Sequence, residues 1–188
     1  MRRGVAALGL AVVGLVAGGC DEEVEPSGPR GGWPLGAAGM ACQLLDYAVV
    51  EQALGTAFDT AGGATVESTY SCVLTQGERE YPDLTLAVTP TSANEVIFMA
   101  TLVPSGASDV EDLGRSAYLM HRPAGDGHGP AVEVGWLSAS GRLVVLRYTF
   151  AEGADAEAVA EMSTRIADYA QQLEQSLPVA ATSEGTAS

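Results

Sequence analysis

The residue pattern predicts an α+β domain, a mostly antiparallel sheet of about five strands with helices packed on one face. Three observations carry this. Several short runs alternate apolar and polar residues with a period of two, as half-buried strands do. Turn residues join neighbouring runs at short spacing, which favours hairpins. A long closing segment repeats its apolar residues every three or four positions, so it needs a sheet to cover.

Taken in order, Asp46 can cap a short helix over Tyr47–Leu54 that Gly55 ends, with Val49, Val50, Ala53 and Leu54 on one side. Gly62-Gly63 reads as a turn. Residues 65–75 alternate around Tyr70, Cys72 and Leu74, and 84–89 alternate with Leu84, Leu86 and Val88 on one side. With Gln76-Gly77-Glu78 between them, these runs predict a hairpin. Ser92-Ala93-Asn94-Glu95 has capping-box spacing, which predicts a second short helix over 93–102. After an acidic loop at 109–112, strands are expected over 116–121, 131–139 and 142–150, the last two joined at Ser140-Gly141. In the last of these, Leu143, Val145 and Arg147 alternate with Val144, Leu146 and Tyr148, which predicts one fully buried face and one partly buried face. Asp155 caps the closing helix, whose stripe is Val159, Met162, Ile166, Tyr169, Leu173 and Leu177. Pro178 stops it, and 178–188 reads as a disordered tail.

Charge narrows the function classes. The chain has 188 residues and a formal charge of −15, and all nine basic residues are Arg. Without Lys there is no Walker-type phosphate loop and no Schiff-base nucleophile. The acidity argues against nucleic-acid partners, which need clustered cations to neutralise phosphates. Residues 41–177 hold 19 of the 24 acids and six of the nine Arg, so the acidity belongs to the domain itself.

The first residues have the order of an export signal. Arg2 and Arg3 precede an uncharged run rich in Ala, Val, Leu and Gly, which ends at Cys20. Val16-Ala17-Gly18-Gly19-Cys20 resembles the lipobox of bacterial lipoproteins, with Ala17 where that motif usually has Leu. The resemblance implies a signal peptide over 1–19, lipidation of Cys20, and an anchor on the outer face of the cell membrane. Asp21 directly after Cys20 resembles the signal that retains lipoproteins at the inner membrane where an outer one exists. An ordinary secretory leader with an incidental Cys, or an uncleaved anchor, is the alternative. Residues 20–40 begin with Asp21, Glu22, Glu23 and Glu25 and continue rich in Pro and Gly, which predicts a disordered tether. Trp33 is its one large aromatic residue.

With Cys20 assigned to lipid, Cys42 and Cys72 remain as an even pair in a compartment that permits disulfides. Two buried free thiols are the alternative. Neither has a Cys or His at metal-ligand spacing, so neither a metal nor a cofactor is expected.

The body is similar to small lipoprotein domains of unknown function from high-GC Gram-positive bacteria. It also resembles the extracellular sensor domains of some of their receptor kinases. Cys42-Gln43-Leu44-Leu45, Ala53-Leu54-Gly55, Ser71-Cys72, Asp112-Leu113-Gly114-Arg115-Ser116-Ala117-Tyr118 and the closing helix carry the likeness. It implies an α+β domain over 41–177 with a bridge between the first helix and a strand, and no established catalysis.

Groups that could carry chemistry are few. Gly114-Arg115-Ser116-Ala117-Tyr118 begins like a nucleophile elbow but has Tyr where a second Gly is needed. Asp126 and His128 could form a carboxylate-oriented base in a Gly-rich loop, and His121 lies on the other side of that loop. Asp109, Glu111 and Asp112 cluster as Ca²⁺ ligands can, without the spacing of an EF-hand. The expectation is a lipid-anchored binding or accessory module of the cell envelope, contacting an envelope protein or a small ligand. The alternatives are a small hydrolase using Ser116 or the His128/Asp126 pair, and a small-ligand sensor.

Overall fold

A computed structural model describes residues 41–177. The leader, Cys20, the tether with Trp33 and the tail at 178–188 lie outside the described residues.

Local capping builds the first helix as expected. The Asp46 carboxylate accepts from the N–H groups of Ala48 and Val49, pairing donors that a helix start otherwise leaves open. Helix α1, Tyr47–Leu54, then runs to Gly55 at φ 73°, the left-handed conformation glycine adopts without strain. Arg165 of the closing helix donates to the Leu54 carbonyl, which places a cation at the carbonyl end of α1.

Three antiparallel strands follow: β1 (Thr60–Val66), β2 (Thr69–Gln76) and β3 (Arg79–Pro90). A helical segment comes next, α2 at Glu95–Ile97 running into a π-turn at Phe98–Leu102. Then come β4 (Ser108–Asp109), β5 (Ser116–Arg122), β6 (Ala131–Leu137) and β7 (Arg142–Thr149). The chain closes on α3, Ala156–Ser176, whose cap Asp155 accepts from the Ala158 N–H. All seven strands form one open antiparallel sheet in the order β1-β2-β3-β7-β6-β5-β4.

The α+β class therefore holds, but the sheet has seven strands where the sequence suggested about five. One of the two additions comes from the stretch 65–75, which contains a turn at Glu67-Ser68 with Glu67 at φ 53°. Gly62 and Gly63 lie inside β1 and make no turn. As β1 is an edge strand with mostly exposed side chains, glycine costs it little packing. The other addition, β4, takes Ser108 and Asp109 from what read as loop. The second helix starts later than expected, because Asn94 is the residue whose side chain caps it, by accepting from the Ile97 N–H.

Register decides which side chains share a face. Leu74, Leu84, Tyr148 and Val132 stand in one row across β2, β3, β7 and β6. Cys72, Leu86, Leu146 and Val134 form the next row. Against these rows pack Met162, Ile166, Tyr169 and Leu173 of α3 together with Val50 and Leu54 of α1, in one continuous core. Each fully buried aliphatic side chain there contributes roughly 1.5–3 kcal/mol. Trp136 is fully buried in that core. Its indole N–H donates to Glu174 Oε2 at 2.7 Å, while Glu174 Oε1 accepts from the Ala139 N–H at 2.9 Å, so α3 clamps the β6–β7 turn.

The helices do not all lie on one face. Tyr118 and Leu137 point away from their neighbours Ala117 and Trp136, and Phe98 packs on them in a second, smaller cluster. The short segment after β3 thus covers one end of the other face.

Cys42 and Cys72 form a disulfide with Cα atoms 5.0 Å apart. It ties the 3₁₀ turn Cys42–Leu44 to the centre of β2.

Candidate functional site

On the sheet face away from α3, pairing sets a row of polar side chains across four strands. Asp83 on β3 stands opposite Thr149 on β7, and Thr85 stands opposite Arg147. Arg147 is in turn opposite Glu133 on β6. Glu133 faces Met120 of β5, with Tyr118 and Arg122 one pleat to either side.

Glu133 is the anchor of this row. It is only 4 % exposed, a burial that a carboxylate tolerates when its lone pairs are taken. The Tyr118 hydroxyl donates to Oε1 at 3.0 Å. Arg122 donates from Nε to Oε2 and from Nη2 to Oε1, both at 2.8 Å, a bidentate pair. Burial, and then the Glu133 charge, hold the Tyr118 phenol above its ordinary range, so it remains a donor. Gly135 lies directly opposite Tyr118, and a Cβ there would collide with the phenol ring. That glycine is what lets the ring lie flat enough to reach Glu133.

At the β3 end the polar groups are less satisfied. Asp83 Oδ1 and Arg147 Nε are both shielded from solvent and have no hydrogen-bond partner among the described residues. Burial raises the Asp83 carboxyl above its usual value, with the Thr149 hydroxyl, Arg147 and Thr85 acting in the opposite direction. A buried acceptor and a buried donor without partners are costly in isolation. This part of the row therefore leaves one carboxylate oxygen and one guanidinium nitrogen buried without a hydrogen-bond partner.

The side chains singled out from the sequence are spread over the molecule. His128 sits half-buried between β5 and β6, its ring 5.3 Å from that of Tyr81. Its Nδ1 is 2.6 Å from the Gly129 carbonyl, so a backbone oxygen, and not Asp126, orients the imidazole. Asp126 is exposed beside it. His121 engages Ser163 of α3, with Nε2 2.8 Å from Oγ. That hydroxyl also lies 2.8 Å from the Val159 carbonyl, which competes for its single proton. Ser116 opens β5 and lines a shallow depression of about 480 Å³ with Asp109, Glu111, Asp112 and Arg115. The three acids do share that depression, but no group of three His, Cys, Asp or Glu side chains among the described residues could hold a metal ion.

Sequence reasoning passed over Asp83, Tyr118, Arg122 and Glu133. One signal was present: Glu133 is the single charge within an apolar strand, where a lone carboxylate demands a partner. Arg147 was visible as a member of the partly buried face, though not as part of a row.

A second concave feature lies on the helix-covered face, at the end of β2 and β3. It is a mostly apolar cavity of about 370 Å³, lined by Ala41, Gln43, Leu44, Tyr70, Val88, Pro90 and Arg142. Comparison of the chain with family models, with curated proteins and with solved structures finds no match. No helix among the described residues is long and apolar enough to cross a membrane.

Proposed function

We propose that this chain is a lipid-anchored binding or accessory module on the outer face of the cell membrane, and that its work is recognition and not catalysis. The observation that carries the reading is the polar row on the open sheet face. It is built on paired strands, it is held in place by the buried Glu133, and it includes Asp83 and Arg147, each with one polar atom left without a hydrogen-bond partner. Such a row suits a partner that presents one acidic and one donor group side by side. The lipobox-like Cys20 and the acidic tether support the location, because two or more acyl chains anchor stably where one does not.

The hydrolase alternative has less support. His128 turns its Nδ1 to a carbonyl, and the lining around Ser116 is acidic with no imidazole in it. The test has two arms. Metabolic labelling with a fatty acid should mark the wild-type chain and not Cys20→Ser, and an unlabelled wild type would remove the anchor. Crosslinking in intact membranes should yield a recurrent adduct that Arg147→Ala loses while the fold persists. A hydrolytic activity that disappears in His128→Ala would overturn the reading.

A further inference from the structure

We infer that the apolar cavity at the end of β2 and β3 is the seat of Trp33, an occupant supplied by the same chain. The inference rests neither on the lipid anchor nor on the polar row.

The cavity interrupts an otherwise covered face. α1 and α3 bury the sheet from Leu74 to Val134, yet Tyr70 remains half-exposed beside Val88, at the far end of β2 and β3. The wall on that side is the 3₁₀ turn, through Leu44 and Ala41. Ala41 is also where the chain from residues 21–40 arrives. The segment outside the described residues therefore begins on the rim of the hole.

That segment contains one stretch suited to the hole. Its acids lie at Asp21, Glu22, Glu23 and Glu25, whereas Trp33, Pro34 and Leu35 come shortly before Ala41. From Trp33 to Ala41 the chain can extend at most about 28 Å, so the indole cannot stray far from a cavity its own continuation lines. A short connection of this kind gives an effective concentration in the millimolar range, so even a weak contact is populated.

The chemistry of the wall matches an indole. Tyr70, Val88, Leu44 and Pro90 supply apolar surface, and Arg142 stands on the rim where β3 and β7 end, opposite Pro90. A guanidinium over an indole face is the favoured cation–π pairing. At about 370 Å³ the cavity is at the small end of sites that take organic ligands, a size suited to one indole and an adjoining ring.

Tryptophan fluorescence tests this on the full chain in a mild detergent. The protein has two Trp, and Trp136 is fully buried. Subtracting the Trp33→Phe spectrum from the wild type isolates Trp33. Its emission should be blue-shifted, and iodide should quench it several-fold less than the indole of a free Trp-Pro-Leu peptide. Quenching equal to the peptide's overturns the inference. In Tyr70→Ala the protection should vanish while the Trp136 signal stays unchanged. Protection that survives Tyr70→Ala overturns it as well, because detergent or a second copy would then be shielding the indole. Trp33→Ala, a change outside residues 41–177, gives a second measure by amide chemical shifts. Shifts at Leu44, Tyr70, Val88 and Arg142 are expected, and shifts confined to the neighbours of residue 33 would rule the docking out.

Discussion

The two faces of the sheet are built on different rules. On the face under α1 and α3, the rows from Leu84 to Val88 of β3 and their partners on β7 and β6 are apolar and pack into one core with the helices. On the other face the corresponding rows carry Asp83, Thr85, Arg147, Thr149 and Glu133, and among the described residues Phe98 with its neighbours caps one end. The same strands serve both, since alternate residues point to opposite sides. Stability is thus concentrated on one side of the molecule and hydrogen-bonding capacity on the other. Substitutions should separate accordingly.

The largest effect is expected at Trp136→Ala, which empties the centre of the covered face and cuts the tie to Glu174. A loss of about 3–5 kcal/mol is expected by urea or thermal unfolding. A loss below about 1 kcal/mol would mean that the covered face is not where stability resides. Next comes the double replacement of Cys42 and Cys72 by Ser. For a loop of 30 residues the crosslink contributes roughly 3–4 kcal/mol by chain-entropy reasoning. Unfolding of the double variant measures this, and an unchanged midpoint would show that the bridge adds nothing.

Glu133→Ala probes the buried charge of the open face. It removes the acceptor from Tyr118 and the counter-ion from Arg122, and about 1–3 kcal/mol should be lost. Glu133→Gln should restore part of it, since the amide oxygen still accepts from Tyr118. If Gln does no better than Ala, charge and not hydrogen bonding dominates the site.

The smallest expected effect is at Asp83. Its carboxyl is raised in the folded state, so folding favours the protonated form. In that situation the folded state binds more protons than the unfolded one between the two pKa values. Stability therefore falls as pH rises through that interval and stays lower above it. Asp83→Asn should flatten this dependence and leave stability at neutral pH equal or slightly higher, by less than about 1 kcal/mol. A clear destabilisation by Asn would mean that Thr149, Arg147 and Thr85 outweigh the cost of burying the charge.

The covered face was the more legible in the sequence, because its signals are local. Asp46 and Gly55 bracket α1 within one short stretch, and the stripe from Met162 to Leu173 follows helical spacing without reference to any other part of the chain. The alternation of Val144, Leu146 and Tyr148 with Leu143, Val145 and Arg147 likewise predicted a buried side and a partly buried side, and both are found. Edge strands were harder. Glycines are tolerated in β1 because its outer side has nothing to pack against, so Gly62-Gly63 looked like a turn. The break at Glu67-Ser68 has no glycine or proline to announce it. The polar row was least accessible of all. Asp83 lies 50 residues before Glu133, which lies 14 before Arg147, and only the register of β3, β7 and β6 places them side by side.

The disulfide also determines how the domain would bear a load. Cys42 is the second described residue, and its sulfur leads straight to the middle of β2. Tension applied from the N-terminal side would therefore bypass the 3₁₀ turn, α1 and β1, which lie inside the covalent loop. It would enter the sheet at a strand bonded on both sides, to β1 and to β3. Many hydrogen bonds would have to slide together before that strand could leave. The α1 helix lies inside the covalent loop, so the covalent route of such a pull does not run through it.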